Sequence, residues 1–119
     1  MDDFKKRIYN YVLRLLKFLS HLPHDSVTIE IKKQLIRSGT SMGANYFEAR
    51  GASSKKDYRN YFSIALKSSN ESYFWLALLK DGIILSIDLK QENDALLKET
   101  SEIAKIFAAS IITMKRQKN

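Results

Sequence analysis

Residues 27–50 read VTIEIKKQLIRSGTSMGANYFEAR, a stretch whose periodicity predicts one long helix with two apolar stripes. The first stripe consists of Val27, Ile31, Leu35, Ser38, Met42, Asn45 and Ala49. The second lies roughly 90° or more around the helix and consists of Ile29, Ile36, Gly43 and Phe47. Two separate stripes indicate that this helix packs against partners on two sides.

The middle of the same stretch is built from small residues, since residues 38–44 read SGTSMGA. A glycine in a helix interior costs about 1 kcal/mol relative to alanine. Gly39 and Gly43 together therefore indicate that another backbone approaches this helix closely.

Helical periodicity extends over three further segments. The first carries its apolar residues on an arc of about 100°, namely Phe4, Ile8, Tyr11, Val12, Leu15, Leu19 and Leu22. The third, about residues 55–80, ends in an apolar run at 73–79, and the fourth, about 89–116, has apolar residues at heptad-like spacing. With one proline and four glycines, the pattern predicts an all-α fold. We expect residues 1–119 to form a single domain, an antiparallel up-down four-helix bundle.

Turn residues separate the four segments. Pro23 disfavours helix at the preceding residue, and Asp25 or Ser26 can cap the second segment. Gly51 is expected to end that segment in a left-handed conformation. The pair Ser54 and Asp57 resembles a capping box, and Asp88 with Gln91 is expected to start the fourth segment.

The apolar surface of the second and third segments exceeds what one monomeric bundle needs to close its core. The excess predicts a homo-oligomer. The expected interface residues are Ile29, Ile36, Gly43, Phe47, Phe74, Trp75 and Leu78. In the alternative interpretation, a bent bundle buries these wider stripes within one protomer.

Composition excludes several classes of site and favours an anionic partner. The 119 residues contain no cysteine, which excludes disulfides and thiolate metal sites. Arg14 and Lys17 interrupt the first apolar segment, so it does not read as a signal peptide, and the charge-free apolar run at 106–114 is half a membrane span. We therefore expect a cytoplasmic protein. Its 20 Lys and Arg against 13 Asp and Glu give a net charge of +7, which favours nucleic acid before membrane as a partner.

Two motifs resemble one bacterial family. Residues 34–49, QLIRSGTSMGANYFEA, and residues 61–72, YFSIALKSSNES, are similar to the four-helix-bundle family of ribosomal-RNA intervening-sequence proteins. That family is related to the accessory variability protein of diversity-generating retroelements. The resemblance implies an up-down four-helix protomer that assembles into a ring, a pentamer, with no known enzymatic activity. It also implies nucleic-acid or reverse-transcriptase binding through basic surfaces.

Polar residues on the second and third segments invite two interpretations. A catalytic interpretation pairs the carboxylates of Glu48 and Glu71. The favoured alternative is a structural polar network of Arg37, Asn45, Glu48 and Glu71, in which Arg37 pairs with one of the two carboxylates, because buried charges need partners. No cofactor or metal site is expected, since His21 and His24 lack a visible third ligand.

The basic residues are the best functional lead in the sequence. Basic side chains suit phosphate contact because they displace condensed counterions. The candidate nucleic-acid contacts are Lys6, Arg7, Arg14, Lys17, Lys55, Lys56, Arg59, Lys115 and Arg116. We expect non-enzymatic, backbone-directed binding of RNA or DNA with weak sequence preference, because no base-reading motif is present.

Other interpretations of the same residues stay open at this stage. The basic face can serve solubility alone, or the ring can dock an acidic partner protein. The run Tyr73-Phe74-Trp75 can stack bases, although such residues are more often core or interface. Membrane-surface binding by the first helix ranks last, because its apolar stripe is needed to close the bundle.

Overall fold

The computed structural model describes residues 2–117, which contain four helices and no strand. The helices are α1 (Asp3–Ser20), α2 (Ser26–Arg50), α3 (Lys55–Gly82) and α4 (Ile87–Arg116). The predicted all-α fold with four helices is confirmed. Helix α3 continues two residues past the predicted end, and α4 begins two residues before the predicted start.

The residue directly before each helix is polar and caps it. The capping residues are Asp2, Asp25, Ser54 and Ser86, each of which accepts a backbone N–H from the first turn. For α3, the Asp57 N–H donates to Ser54 Oγ at 3.1 Å, as the sequence predicted. For α4, the prediction of a start at Asp88 was wrong, because Ser86 takes the cap and places Asp88 inside the first turn.

Helix α2 ends without a left-handed residue. Gly51 has φ −106°, so the predicted left-handed cap was wrong. The Gly51 N–H instead donates to the Glu48 carbonyl at 3.1 Å, which tightens the last turn in the 3₁₀ manner. A short loop then leads to the Ser54 cap of α3.

Each helix packs against two others, and the contact between α2 and α3 is the most extensive. Between α2 and α3, hydrogen bonds join Ser38 to Ser72 and Ser41 to Ser68. Between α1 and α4, Arg7 meets Glu99 and Arg14 meets Glu92. In both helix pairs, a later residue of one helix meets an earlier residue of the other.

The two helical glycines of α2 face α1. A Cβ at Gly43 would lie 3.0 Å from Val12 Cγ2, and one at Gly39 would overlap Leu15 Cδ2. The predicted close approach is present at both positions, but the neighbours are side chains rather than a backbone. Gly43 is therefore buried inside the protomer.

Aromatic rings fill the core near the end of the bundle where α2 passes into α3. Phe62 and Phe107 meet edge to face with ring centroids 5.6 Å apart, and Phe4 meets Tyr46 in the same way at 5.1 Å. Tyr58, one turn before Phe62, stacks on it with centroids 4.8 Å apart. Through Tyr58, this cluster extends to the first turn of α3.

Candidate nucleic-acid interface

An open groove of about 680 Å³ lies at this end of the bundle. The loop after α2, the first turns of α3 and the last turn of α4 form it, and we call it the end groove. Its lining residues are Ala52, Ser53, Ser54, Lys55, Lys56, Tyr58, Arg59, Met114 and Gln117. These include three cations and no carboxylate, so the lining favours an anionic ligand.

The start of α3 explains why the cations are exposed. Ser54 takes the cap position, so Lys55 and Lys56 are the first residues of the helix and both are exposed, with Arg59 half-buried one turn later. The Asp57 carboxylate lies in the same turn and accepts a hydrogen bond from the Ser53 hydroxyl at 3.3 Å. The positive end of the α3 dipole adds to the potential of the three cations.

Tyr58 supplies the aromatic surface of the end groove. Its ring is half-buried, and one side of it stacks against Phe62 at an interplanar angle of 27°. Its hydroxyl approaches the Arg50 guanidinium and, with the Tyr46 hydroxyl and the Asp2 carboxylate, raises the pKa of Arg50. Arg50 also lies 3.5 Å from the Asp2 carboxylate. The Tyr58 ring is thus held on one side by its stack on Phe62.

The last turn of α4 brings further predicted cations to the same end. Lys115 and Arg116 are exposed, and their sequence neighbours Met114 and Gln117 line the end groove. We call Lys55, Lys56, Arg59, Lys115 and Arg116 the basic end. Within residues 2–117, none of these five cations forms an ion pair.

The predicted cations of α1 are in a different state. Arg7 binds Glu99 with two hydrogen bonds, of 2.8 and 2.6 Å, and Arg14 binds Glu92 with two bonds of 2.7 Å. These bonds raise the pKa of both arginines, and the bond from Arg7 lowers the pKa of Glu99. Lys6 and Lys17 remain exposed on this helix. Half of the predicted basic arc is therefore compensated by α4.

The predicted polar network is only partly assembled. Arg37 pairs with Glu71 on the surface between α2 and α3, and the Trp75 indole N–H also donates to Glu71, at 3.3 Å. Asn45 donates to the Ser41 carbonyl of its own helix at 2.8 Å rather than across helices. Glu48 is exposed beside the α1 and α2 contact, so it lies away from Glu71 and the structure assembles no carboxylate pair from them.

The predicted interface residues divide by exposure. Ile36, Phe74 and Leu78 are 43, 53 and 38% exposed, whereas Ile29, Phe47 and Trp75 are half-buried and Gly43 is buried. Helix α1 adds three exposed apolar residues that the sequence analysis did not name: Tyr9, Leu13 and Leu16. Their spacing of four and three residues on one helix face is the signal that could have found them.

The histidine-containing turn before α2 has a structural role. Asp25 accepts the Thr28 backbone N–H at 3.0 Å and the Thr28 hydroxyl at 2.7 Å, and the backbone bond lowers the pKa of Asp25. His21 Nδ1 lies 2.8 Å from the Lys17 carbonyl oxygen. Residues 2–117 bring no three His, Asp or Glu side chains together as a metal site, and no helix among them could span a membrane.

Comparison with known proteins adds family information. A family model described as the 23S rRNA-intervening sequence protein matches residues 3–109. A crystal structure of a protein of unknown function from Bacteroides thetaiotaomicron VPI-5482, assigned to the S23 ribosomal protein family, is similar with a TM-score of 0.75 and 32% sequence identity. That similarity covers 90% of this chain and 96% of the other. No curated protein matches the chain.

Proposed function

The chain belongs to the 23S rRNA-intervening sequence protein family, and from that premise we propose that it is a non-enzymatic protein that binds nucleic acid through its basic end. The phosphate backbone supplies most of the affinity, and sequence preference is weak. The family description links its members to ribosomal RNA genes, which makes RNA the first ligand to test.

The observation that carries the proposal is the contrast between the two groups of predicted cations. Arg7 and Arg14 already satisfy carboxylates of α4, and a phosphate would have to displace Glu99 or Glu92. The cations of the basic end form no such pairs within residues 2–117, and three of them line a groove. Unpaired cations around a concave surface are the arrangement that phosphate binding requires.

We further propose that the helices form an antiparallel up-down bundle and that the protomers assemble into a ring of five. The opposed residue pairs between α1 and α4 and between α2 and α3 support the first point. Exposed apolar residues on both α1 and α3, such as Leu13 and Phe74, support self-association. Five copies of a chain with net charge +7 would carry about +35, and repeated weak sites give avidity.

A salt titration of RNA binding tests the proposal. The variant Lys55→Glu/Lys56→Glu removes two cations of the end groove, and Lys90→Glu/Lys98→Glu makes the same change in net charge on exposed parts of α4. We expect the first variant to bind a ribosomal RNA fragment more weakly at low salt and to make the negative slope of log K against log salt shallower by about 1.4 for single-stranded RNA. Equal effects of both variants would contradict a localised site.

A second candidate function is the docking of an acidic protein, and an apolar surface supports docking. Tyr9, Val12 and Phe47 line a depression of about 350 Å³ between α1 and α2 together with the carboxylate Glu48, and Lys5 lies 4.7 Å from the Phe47 ring centroid. The attraction for an acidic partner would therefore come from the net charge of +7 rather than from this lining. A pull-down that retains an acidic protein in wild type and loses it with Tyr9→Glu would favour this function. RNA binding that is unaffected by Tyr9→Glu would then separate the two.

A further inference from the structure

We infer that the end groove takes an unpaired stretch of nucleic acid, with one base stacked on Tyr58 and the adjoining phosphates on Lys55, Lys56 and Arg59. This inference rests on the proposed function and adds the strand state of the ligand and the residue that senses it. A groove that held phosphates alone would bind duplex and single strand according to charge only.

A stack of two aromatic rings, Phe62 and Tyr58, leads from the core to the end groove. Phe62 is buried in the core, and the Tyr58 ring stacks on it at an interplanar angle of 27° and lines the end groove. One side of the Tyr58 ring is therefore occupied by Phe62. A base on the side toward the groove would continue the same stack, at the separation that aromatic rings prefer.

The residues that line the end groove are of the types that a nucleotide contacts. The alanine at 52 and the Met114 thioether are apolar, the Ser53 and Ser54 side chains carry hydroxyl groups, and the three cations, the Tyr58 ring and the Gln117 amide complete the lining. A nucleotide presents the matching set: a flat base, a sugar with hydroxyl groups and an anionic phosphate. The volume of about 680 Å³ falls within the range of about 300 to 1,000 Å³ that small-ligand sites occupy.

Stacking on Tyr58 requires that the bound nucleic acid has an unpaired base. In the interior of a duplex, both faces of every base are covered by the neighbouring base pairs, so a base must be unpaired to stack on a protein ring there. Tyr58 shares the lining of the open end groove with Lys55, Lys56 and Arg59 of the first turns of α3. A loop, bulge or strand end can therefore place one base in the groove while its phosphates reach these cations.

The other aromatic candidate is less suited to this role. Phe74 and Trp75 meet edge to face with centroids 5.1 Å apart, so they present no continuous stack. The Trp75 indole N–H also donates to the Glu71 carboxylate, which is paired with Arg37, so the nearby Arg37 is already occupied and is not free for a phosphate. The stacking function proposed for aromatic residues of this chain thus belongs to Tyr58.

Binding of fluorescent oligouridine and of an RNA duplex with the same number of phosphates tests the inference. We expect Tyr58→Leu, which keeps an apolar side chain on Phe62, to weaken oligouridine binding about tenfold and to leave duplex binding unchanged. The matched control is Tyr58→Phe, which keeps the ring and should bind oligouridine like wild type.

The outcomes separate the inference from the proposed function. If Lys55→Glu/Lys56→Glu weakens both probes while Tyr58→Leu weakens neither, the basic end binds phosphate and the stacking inference is overturned. If wild type binds no probe at low salt, the proposed function itself fails. Photo-crosslinking of 5-bromouridine RNA to wild type needs no variant, and the expected adduct lies on Tyr58; adducts only elsewhere would also overturn the inference.

Discussion

Gly39 of α2 lies against Leu15 of α1 so closely that a Cβ at residue 39 would overlap the Leu15 Cδ2 methyl group. Both residues are buried. Four residues along α2, a Cβ at Gly43 would lie 3.0 Å from Val12 Cγ2, and Val12 is only half-buried. The two glycines thus set how closely α1 approaches α2, and they differ in how much the neighbour can yield.

Alanine at these two positions should have different effects on stability. Either substitution gains about 1 kcal/mol of helix propensity, but overpacking a core contact costs about 1 to 3 kcal/mol. We expect Gly39→Ala to lower the free energy of unfolding in urea denaturation, and Gly43→Ala to leave it nearly unchanged. Equal effects would contradict the packing described here.

Glu99 should make the stability depend on pH below its ordinary pKa of 4.5. The hydrogen bonds from Arg7 lower the pKa of Glu99 in the folded state, so its stabilising contribution is complete above 4.5 and is lost as pH falls through the lower, folded value. We expect Glu99→Gln to be less stable than wild type at neutral pH, with the difference shrinking in acid. Urea denaturation of both proteins from neutral pH to below pH 4.5 checks this. A difference in the free energy of unfolding that stays constant with pH would count against the ion pair.

The Tyr11 hydroxyl should stabilise the contact between α1 and α4 through its one hydrogen bond, to Thr100. The Thr100 hydroxyl donates to the Leu96 carbonyl at 2.6 Å, which leaves the Tyr11 hydroxyl as the donor to Thr100. Burial raises the pKa of Tyr11 to about 12, so the donor stays protonated at neutral pH. We expect Tyr11→Phe to cost about 1 kcal/mol in thermal or urea unfolding; an unchanged stability would contradict this bond.

Arg37 is a surface residue, and its loss should cost little. The residue pattern predicts a buried pair, whose disruption costs about 3 to 5 kcal/mol. The Arg37 and Glu71 side chains are 58 and 31% exposed, and exposed pairs contribute about 1 kcal/mol or less. We expect Arg37→Ala to change the melting temperature only slightly. A loss of several kcal/mol would show that the assembled protein buries this pair.

The sequence predicted those features that depend on local chemistry. Helical periodicity gave the four helices, and the Ser54 cap followed from its spacing to Asp57. The pairs of Arg7 and Arg14 with α4 could not be predicted, because they join residues 92 and 78 positions apart and depend on how the two helices meet. Charge counting alone therefore treated these arginines as free.

The end groove escaped prediction for the same reason. Its two sides are the start of α3 and the end of α4, and only the tertiary fold brings Tyr58 and Arg59 near Met114. Tyr58 also precedes Phe62 by one helical turn, a position at which an aromatic side chain is expected to be part of the core. In the fold it is half-buried and lines the end groove, which the sequence pattern does not specify.

Lysine footprinting with and without RNA locates the surface of the wild-type protein that RNA covers. An acylating reagent modifies exposed lysines, and mass spectrometry reports the modification of each one in the wild-type protein. We expect RNA at low salt to protect Lys55 and Lys56 from the reagent. Lys90 and Lys98, which are also exposed, should stay as reactive as they are without RNA. Protection confined to Lys6 and Lys17, or equal protection of every lysine, would contradict binding at the basic end.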